Sequence, residues 1–114
     1  MSDLSSKKCV PCEGGAPPLD KKQIESFLKD LSGSGWILAH EEGVDKIRKQ
    51  FQFKDFNATM EFVNKIASIA EREGHHPDIH IWYSKVLLVL WTHAVKGLSE
   101  NDFIMAAKID RAAA

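Results

Sequence analysis

Residues 71–102 contain an unusual set of side chains, in the order E-R-E-G-H-H-P-D-I-H-I-W-Y-S-K-V-L-L-V-L-W-T-H-A-V-K-G-L-S-E-N-D. This stretch holds four of the five histidines, two of the three tryptophans and the most apolar run in the sequence. Histidine is the side chain whose ordinary pKa lies closest to neutral pH, so it suits proton transfer. The stretch therefore constrains both the fold and the chemistry.

A β-hairpin is predicted after Pro77, because Ile79 and Ile81 alternate with polar residues before a continuous apolar run. A turn at Ser84-Lys85 would fix its register. The predicted pairs are Tyr83 with Val86, Trp82 with Leu87, His80 with Val89, and His76 with His93. Strand parity places the three histidines on one face of the sheet. The opposite face receives Ile79, Ile81, Val86, Leu88 and Leu90.

Pro77 also restricts the residue before it. A proline disfavours helical backbone at the preceding position, so His76 is expected to be extended at a helix-to-strand junction. His75 and His76 should then point in different directions, and together they could contact two sides of a ligand.

The rest of the chain predicts alternating helices and hairpins. A helix starts at Asp20 with Gln23 as its capping-box partner. Strands at 36–40 and 45–53 flank a turn at Glu42-Gly43, and Lys49 interrupts the apolar face of the second strand. A second helix starts at Asn57 and ends at Gly74. Its expected inward residues are Met60, Val63, Ile66, Ala67 and Ala70.

A third helix begins at Ser99, after Gly97 breaks the chain. The element order is α-β-β-α-β-β-α, which favours an α+β fold with a four-stranded antiparallel sheet and three helices on one face. In this fold Trp82, Leu87, Val89 and Trp91 lie on the face without helices. Because four such side chains would form a large apolar patch, we expect a flat ligand or a second copy of the chain to cover them.

The first 18 residues are small, polar and interrupted by glycine and proline, which predicts a flexible tail before a domain spanning residues 19–114. The tail contains Cys9-Val10-Pro11-Cys12. One such pair is half of a zinc site or a redox motif without its usual βαβ context, so two reduced thiols are the plainer interpretation.

Composition excludes several classes of protein. The chain has 114 residues, 44% of them hydrophobic, and its formal charge of −1 gives no electrostatic basis for binding nucleic acid or anionic membranes. We find no apolar run long enough to span a membrane and no signal peptide at the N-terminus, so a cytoplasmic location is expected, with the nucleus as an alternative.

Seven spaced residues resemble the pattern of the pterin-4a-carbinolamine dehydratase family. They are Glu71, His75, His76, Pro77, Tyr83, His93 and Asp102. The flanking segments W-Y-S-K-V, G-L-S-E-N-D, G-W-I-L-A-H and F-Q-F-K-D-F-N also resemble the family, so that the similarity extends from Leu19 to Ile109.

The resemblance implies a dehydratase that acts on 4a-hydroxy-tetrahydropterin, with a role in recycling the tetrahydrobiopterin cofactor. His75 and His93 would be the acid/base pair, His76 would orient the pterin, and Asp102 and Glu71 would support them. Trp36, Pro77 and His76 would bind substrate. No metal or cofactor is implied. A homodimer or homotetramer is implied, and so is an alternative role as a dimerisation partner of a transcription factor.

Some of these residues have competing interpretations. Asp102 follows Ser99 at capping-box spacing, so it could cap the third helix, hold a histidine, or do both. Glu71 could be an ordinary surface carboxylate. His80 lies outside the family pattern and would line the site at most. A zinc site built from the four histidines lacks the ligand spacing of known tetrahedral sites.

Overall fold

The computed structural model describes residues 4–10, 17–31 and 33–113. Three α-helices and four β-strands follow the predicted order. They are α1 (Lys21–Asp30), β1 (Ile37–Glu41), β2 (Val44–Gln52), α2 (Phe56–Glu73), β3 (Asp78–Trp82), β4 (Lys85–Leu90) and α3 (Glu100–Ala113). Short 3-10 helices lie at Leu4–Ser6 and His93–Val95.

The sheet is antiparallel with strand order β1-β2-β4-β3. Its inner face carries Ile47, Val86, Leu88 and Leu90, all fully buried against helix residues such as Ile66 and Phe103. The predicted α+β class and the predicted antiparallel sheet are confirmed.

Several local signals correspond to the structure. Asp20 accepts a hydrogen bond from the Gln23 N–H, and the Gln23 side chain accepts from the Asp20 N–H, so the capping box of α1 is confirmed. The turn between β1 and β2 falls at Glu42 and Gly43, as predicted. Lys49 on the inner face of β2 pairs with Asp110 of α3 at 2.8 Å, so its charge is compensated there.

The start of α2 was predicted wrongly. Asp55, not Asn57, is its N-cap, and its side chain accepts from the Ala58 N–H at 2.8 Å. Because β2 ends at Gln52, the chain turns early and Asn57 falls inside the first helical turn. The buried stripe is also rotated from the predicted one, and Ala67 is exposed. The buried residues of α2 are Thr59, Phe62, Ile66, Ile69 and Ala70.

The register of the second hairpin was also wrong. Trp82 pairs with Lys85 and His80 with Leu87, so the turn lies at Tyr83 and Ser84. Lys85 belongs to the strand because it also pairs with Gln52 of β2. The error is two residues, which leaves each side chain on its predicted face. His76 and His93 lie beyond the ends of the ladder and do not pair.

The outer face of the sheet is better covered than expected. Val89 is buried and Leu87 half-buried within one chain. Arg48 of β2 pairs with Val89 of β4. The Lys46 ammonium lies 4.9 Å from the Trp91 ring centre, so the Lys46 side chain covers part of this face. Trp82 remains 51% exposed.

Residues 4–10 contact the folded body. Leu4 is buried in the core, Lys7 pairs with Glu100 at 2.8 Å, and Lys108 donates to the Ser5 carbonyl at 2.9 Å. The predicted division at residue 18 stays a prediction, and Cys12 lies outside the described residues. Within the described ranges, no helix has the length and apolarity needed to cross a membrane.

Candidate active site

The end of α2 sets the position of His75. Gly74 caps the helix with φ 67° and ψ 28°, a left-handed conformation that is costly for residues with a Cβ. The His75 N–H donates to the Ala70 carbonyl at 3.2 Å, and β3 starts three residues later at Asp78. The predicted glycine stop is therefore confirmed, and it directs His75 out of the helix.

His75 forms a buried pair with Asp102. Its Nε2 lies 2.6 Å from Asp102 Oδ1, and the two side chains are 11% and 0% exposed. An ionised carboxylate only accepts hydrogen bonds, so this contact suits the tautomer with its proton on Nε2 and its lone pair on Nδ1. The geometry leaves Nδ1 as the nitrogen that can take a proton.

Asp102 is held by further donors. Its Oδ2 accepts from the Thr92 hydroxyl at 2.8 Å and from the Ser99 N–H at 2.9 Å. The hydroxyls of Thr92 and Ser99 are 2.7 Å apart. A fully buried carboxylate requires such partners. Both predicted contacts of Asp102, the helix cap and the histidine, are thus present at once.

His93 lies on the loop that follows β4. Its ring is exposed, and its centre is 3.7 Å from the centre of the Trp91 ring. Trp91 in turn donates to Asp78 Oδ2 at 3.3 Å. A bridge between Thr92 and Gly97 closes the loop, and a Cβ on Gly97 would come within 2.6 Å of Pro18. Close packing therefore fixes the loop that carries His93.

A cavity of about 470 Å³ opens beside these residues. His75 lines it, as do Thr92 and Ala94, the two neighbours of His93. Its volume falls within the range of roughly 300–1,000 Å³ that is typical of small-molecule sites. The remaining lining residues are Cys9, Val10, Glu71, Arg72, Glu73, Gly74 and Asn101.

His76 faces a different environment from His75. Its Nε2 lies 2.5 Å from Glu71 Oε2, but the side chains are 60% and 78% exposed. Glu71 lines the cavity, whereas Pro77 is half-buried at the start of β3 and is not among the lining residues. His76 itself is not among the lining residues, so Glu71 is the member of this pair that faces the cavity.

Two other predicted residues lie elsewhere. His80 is on the outer face of the sheet, with its ring 6.4 Å from that of Trp82. Trp36 is buried, and its indole N–H donates to Asp110 at 3.0 Å. Asp110 is roughly 12 Å beyond Asp102 along the axis of α3. Within one chain, Trp36 is therefore part of the core and does not reach the cavity.

Thr92, Asn101, Cys9 and Val10 were not predicted as site residues. One feature of the sequence could have indicated Thr92. It precedes His93, and its hydroxyl can donate to a carboxylate that lies near that loop. The other three line the cavity because residues 4–10 fold across α3, a contact between distant parts of the chain that no local pattern announces. In the described part of the chain, no three His, Cys, Asp or Glu side chains are grouped to hold a metal ion.

Comparison with known proteins identifies the family of this chain. The model of the family described as pterin 4 alpha carbinolamine dehydratase matches residues 17–112. The chain belongs to the pterin-4a-carbinolamine dehydratase family. A protein of Rickettsia bellii (strain OSU 85-389), provisionally named a pterin-4-alpha-carbinolamine dehydratase, is 50% identical over 107 residues, covering 94% of this chain and 91% of the relative. A provisionally named relative from Nitrosomonas europaea is 50% identical over 110 residues, covering 96% and 93%.

One solved structure agrees with the pterin-4a-carbinolamine dehydratase assignment, and a second shares the fold. The crystal structure of a transcriptional coactivator/pterin dehydratase from Brucella melitensis matches with a TM-score of 0.75 and 32% identity, covering 85% of this chain and 99% of that one. A pterin dehydratase-like protein, identified as a RuBisCO assembly factor in the alpha-carboxysome, matches with a TM-score of 0.60 and 24% identity, covering 69% and 89%. The second match shows the fold alone.

Proposed function

We propose that this protein dehydrates 4a-hydroxy-tetrahydropterin to the quinonoid dihydropterin, as part of pterin cofactor recycling. The observation that carries the proposal is the buried pair of His75 and Asp102 at the wall of a cavity of about 470 Å³. Family membership supports the substrate class.

Catalysis of this reaction requires only groups that donate and accept protons. The C4a–O bond breaks, the N5–H proton leaves, a C4a=N5 double bond forms, and the oxygen departs as water after protonation. An imidazole can supply or remove each proton near neutral pH. We assign the base to Nδ1 of His75, because Asp102 occupies Nε2 and would stabilise the imidazolium that forms.

His93 is the proposed acid. Its neighbours Thr92 and Ala94 line the cavity, and its exposed ring can exchange protons with water after each turnover. Trp91 supports the ring from one side. His76, with Glu71, is the proposed group that orients the pterin at the open edge.

The test uses His93→Ala with synthetic 4a-hydroxy-tetrahydropterin as substrate. We expect kcat to fall by about 100-fold or more, as is usual when a general acid is removed. His80→Ala is the matched control, because it removes an exposed histidine from the outer face of the sheet and should leave kcat unchanged. Equal activity of His93→Ala and the wild type would remove His93 from the mechanism.

A second candidate is a non-catalytic role as a dimerisation adaptor or coactivator. The relative from Brucella melitensis carries both descriptions in its name, which favours testing this candidate as well. The same His93→Ala variant separates the two candidates, because it should lower kcat by about 100-fold or more while leaving protein binding intact.

We also propose that the chain forms a homodimer or homotetramer. Several large apolar side chains are exposed in one copy, and their burial would be favourable. They are Ile37, Leu38, Phe56, Ile81, Trp82 and Tyr83. Light scattering coupled to gel filtration tests the assembly, and a monomer at micromolar concentration would contradict it.

A further inference from the structure

The segment comprising residues 4–10, here called the N-terminal strap, lies outside the range 17–112 that the family model matches. It is nevertheless fixed to the folded body at its first residues. Leu4 is buried among core residues, Lys7 contacts Glu100, and the Ser5 carbonyl accepts from Lys108. The strap therefore crosses α3 from a position in the core toward the cavity.

The far end of the strap is fixed by backbone hydrogen bonds. The Cys9 N–H donates to Glu73 Oε1 at 2.9 Å. The Val10 N–H donates to Asn101 Oδ1 at 3.0 Å, and the Asn101 amide donates back to the Val10 carbonyl at 2.6 Å. Asn101 is buried, and the Glu73 side chain is only 5% exposed. Buried side chains thus set the backbone position of both strap residues.

Cys9 and Val10 line the same cavity as His75 and Thr92. His75 lies on the wall formed by the end of α2, and the loop after β4 contributes Thr92 and Ala94, the two neighbours of His93, to another wall. The strap forms a different wall of the cavity, and its backbone is hydrogen-bonded to Glu73 and Asn101. The Val10 side chain is 65% exposed and presents an apolar surface.

We propose that Cys9 and Val10 are specificity-determining residues, which contact the substituent that the pterin ring carries and not its reacting atoms. This inference rests on the proposed function. The strap contributes equally to binding of the substrate and of the transition state, so its loss raises KM and leaves kcat nearly unchanged. Asn101 and Glu73 are the residues that position this wall.

The decisive variant is Val10→Asp, which places a charge on the wall without altering the backbone contacts of the strap. The matched control is Lys8→Gln, an exposed strap residue that is not among those lining the cavity. Both substitutions change the net charge by −1. The substrates are two synthetic 4a-hydroxy-tetrahydropterins, one with a methyl group and one with a longer hydroxyalkyl group on the pyrazine ring.

We expect Val10→Asp to raise KM by about tenfold for at least one substrate, to change the ratio of the two KM values, and to leave kcat within about twofold. Lys8→Gln should match the wild type. A deletion of residues 1–10 should raise KM at least as much, and circular dichroism shows whether it is folded. If the deletion variant is unfolded, the kinetics of Val10→Asp test the proposal by themselves.

Three outcomes would overturn the proposal. Wild-type KM values in Val10→Asp would remove the strap from the substrate pocket. A fall in kcat with unchanged KM would assign the strap to the chemistry instead. A wild-type protein that dehydrates neither substrate would refute the proposed function itself, and that failure is distinct from the first two because both require an active wild type.

Discussion

His75 and His76 are neighbours in sequence, and each contacts a carboxylate at almost the same distance, 2.6 Å to Asp102 and 2.5 Å to Glu71. Their surroundings differ. The first pair is 11% and 0% exposed, and the second is 60% and 78% exposed. Water screens the exposed pair, whereas the buried pair is held by a further hydroxyl and a backbone amide. Nearly equal distances therefore do not imply equal interaction free energies for the two pairs.

The difference in burial fits different roles for the two adjacent histidines. A histidine that must transfer a proton in a defined direction benefits from a fixed ring, and burial with several hydrogen bonds fixes it. A histidine that orients a ligand arriving from solvent can stay mobile at the edge. Pro77 separates the two by keeping His76 out of helical conformation.

The largest expected effect is on stability when the buried carboxylate is removed. Asp102→Ala removes the buried carboxylate that contacts the Thr92 hydroxyl, the Ser99 N–H and the His75 ring, and we expect a loss of about 3–5 kcal/mol in the free energy of unfolding. Urea denaturation measures it. The matched control is Glu71→Ala, for which a loss of under about 1 kcal/mol is expected. Similar losses for both would contradict the comparison.

The next effect is on turnover. His75→Gln should lower kcat by about 100- to 10,000-fold, because glutamine cannot accept the proton that we assign to Nδ1. His76→Gln should raise KM and lower kcat by less than about tenfold. Steady-state kinetics with synthetic 4a-hydroxy-tetrahydropterin measures both. If His76→Gln proved the more damaging to kcat, the roles of the two histidines would have to be exchanged.

A smaller effect is expected at Thr92, whose hydroxyl donates to Asp102 Oδ2. Thr92→Val removes the hydroxyl and should destabilise the fold by about 1–2 kcal/mol while lowering kcat by about tenfold. Thr92→Ser keeps the hydroxyl and should recover most of the lost kcat. A serine variant with no more activity than the valine variant would show that the methyl group matters and the hydrogen bond does not.

The smallest effect is on the exposed pair. Glu71→Gln should change the free energy of unfolding by less than about 0.5 kcal/mol at physiological ionic strength, and raising the salt concentration should reduce even that. Thermal unfolding at low and high salt measures the change. A large loss that persists in high salt would mean that the pair is buried by a second subunit.

Local rules were sufficient for much of the fold. Gly74, the Asp20 capping box and the Glu42-Gly43 turn each act within a few residues of themselves, and each was found where the sequence placed it. Asn57 was a poorer guide, because Asp55 is an equally good cap nearby and only the end of β2 decides between them. The second hairpin failed for the same reason, since the pairing of Lys85 with Gln52 extends β4.

The candidate site was predictable only in part. His75 and Asp102 were identified through a family pattern, but the burial of their pair depends on how α2 meets α3. Cys9 and Val10 could not be found, because the contact of Lys7 with Glu100 and the pairing of Val10 with Asn101 join opposite ends of the chain. Ion pairs and hydrogen bonds between residues so far apart in the sequence produce no periodic pattern of residue types.

The cavity is assembled from four separate parts of the chain, namely residues 4–10, the end of α2, the loop after β4 and the start of α3. None of these parts forms a binding surface alone, so a bound pterin would favour the folded chain over the unfolded one. At a ligand concentration a hundred times Kd, that preference amounts to about 2.7 kcal/mol. Bound pterin would then lower the unfolded fraction of the protein, which is the form that proteases attack.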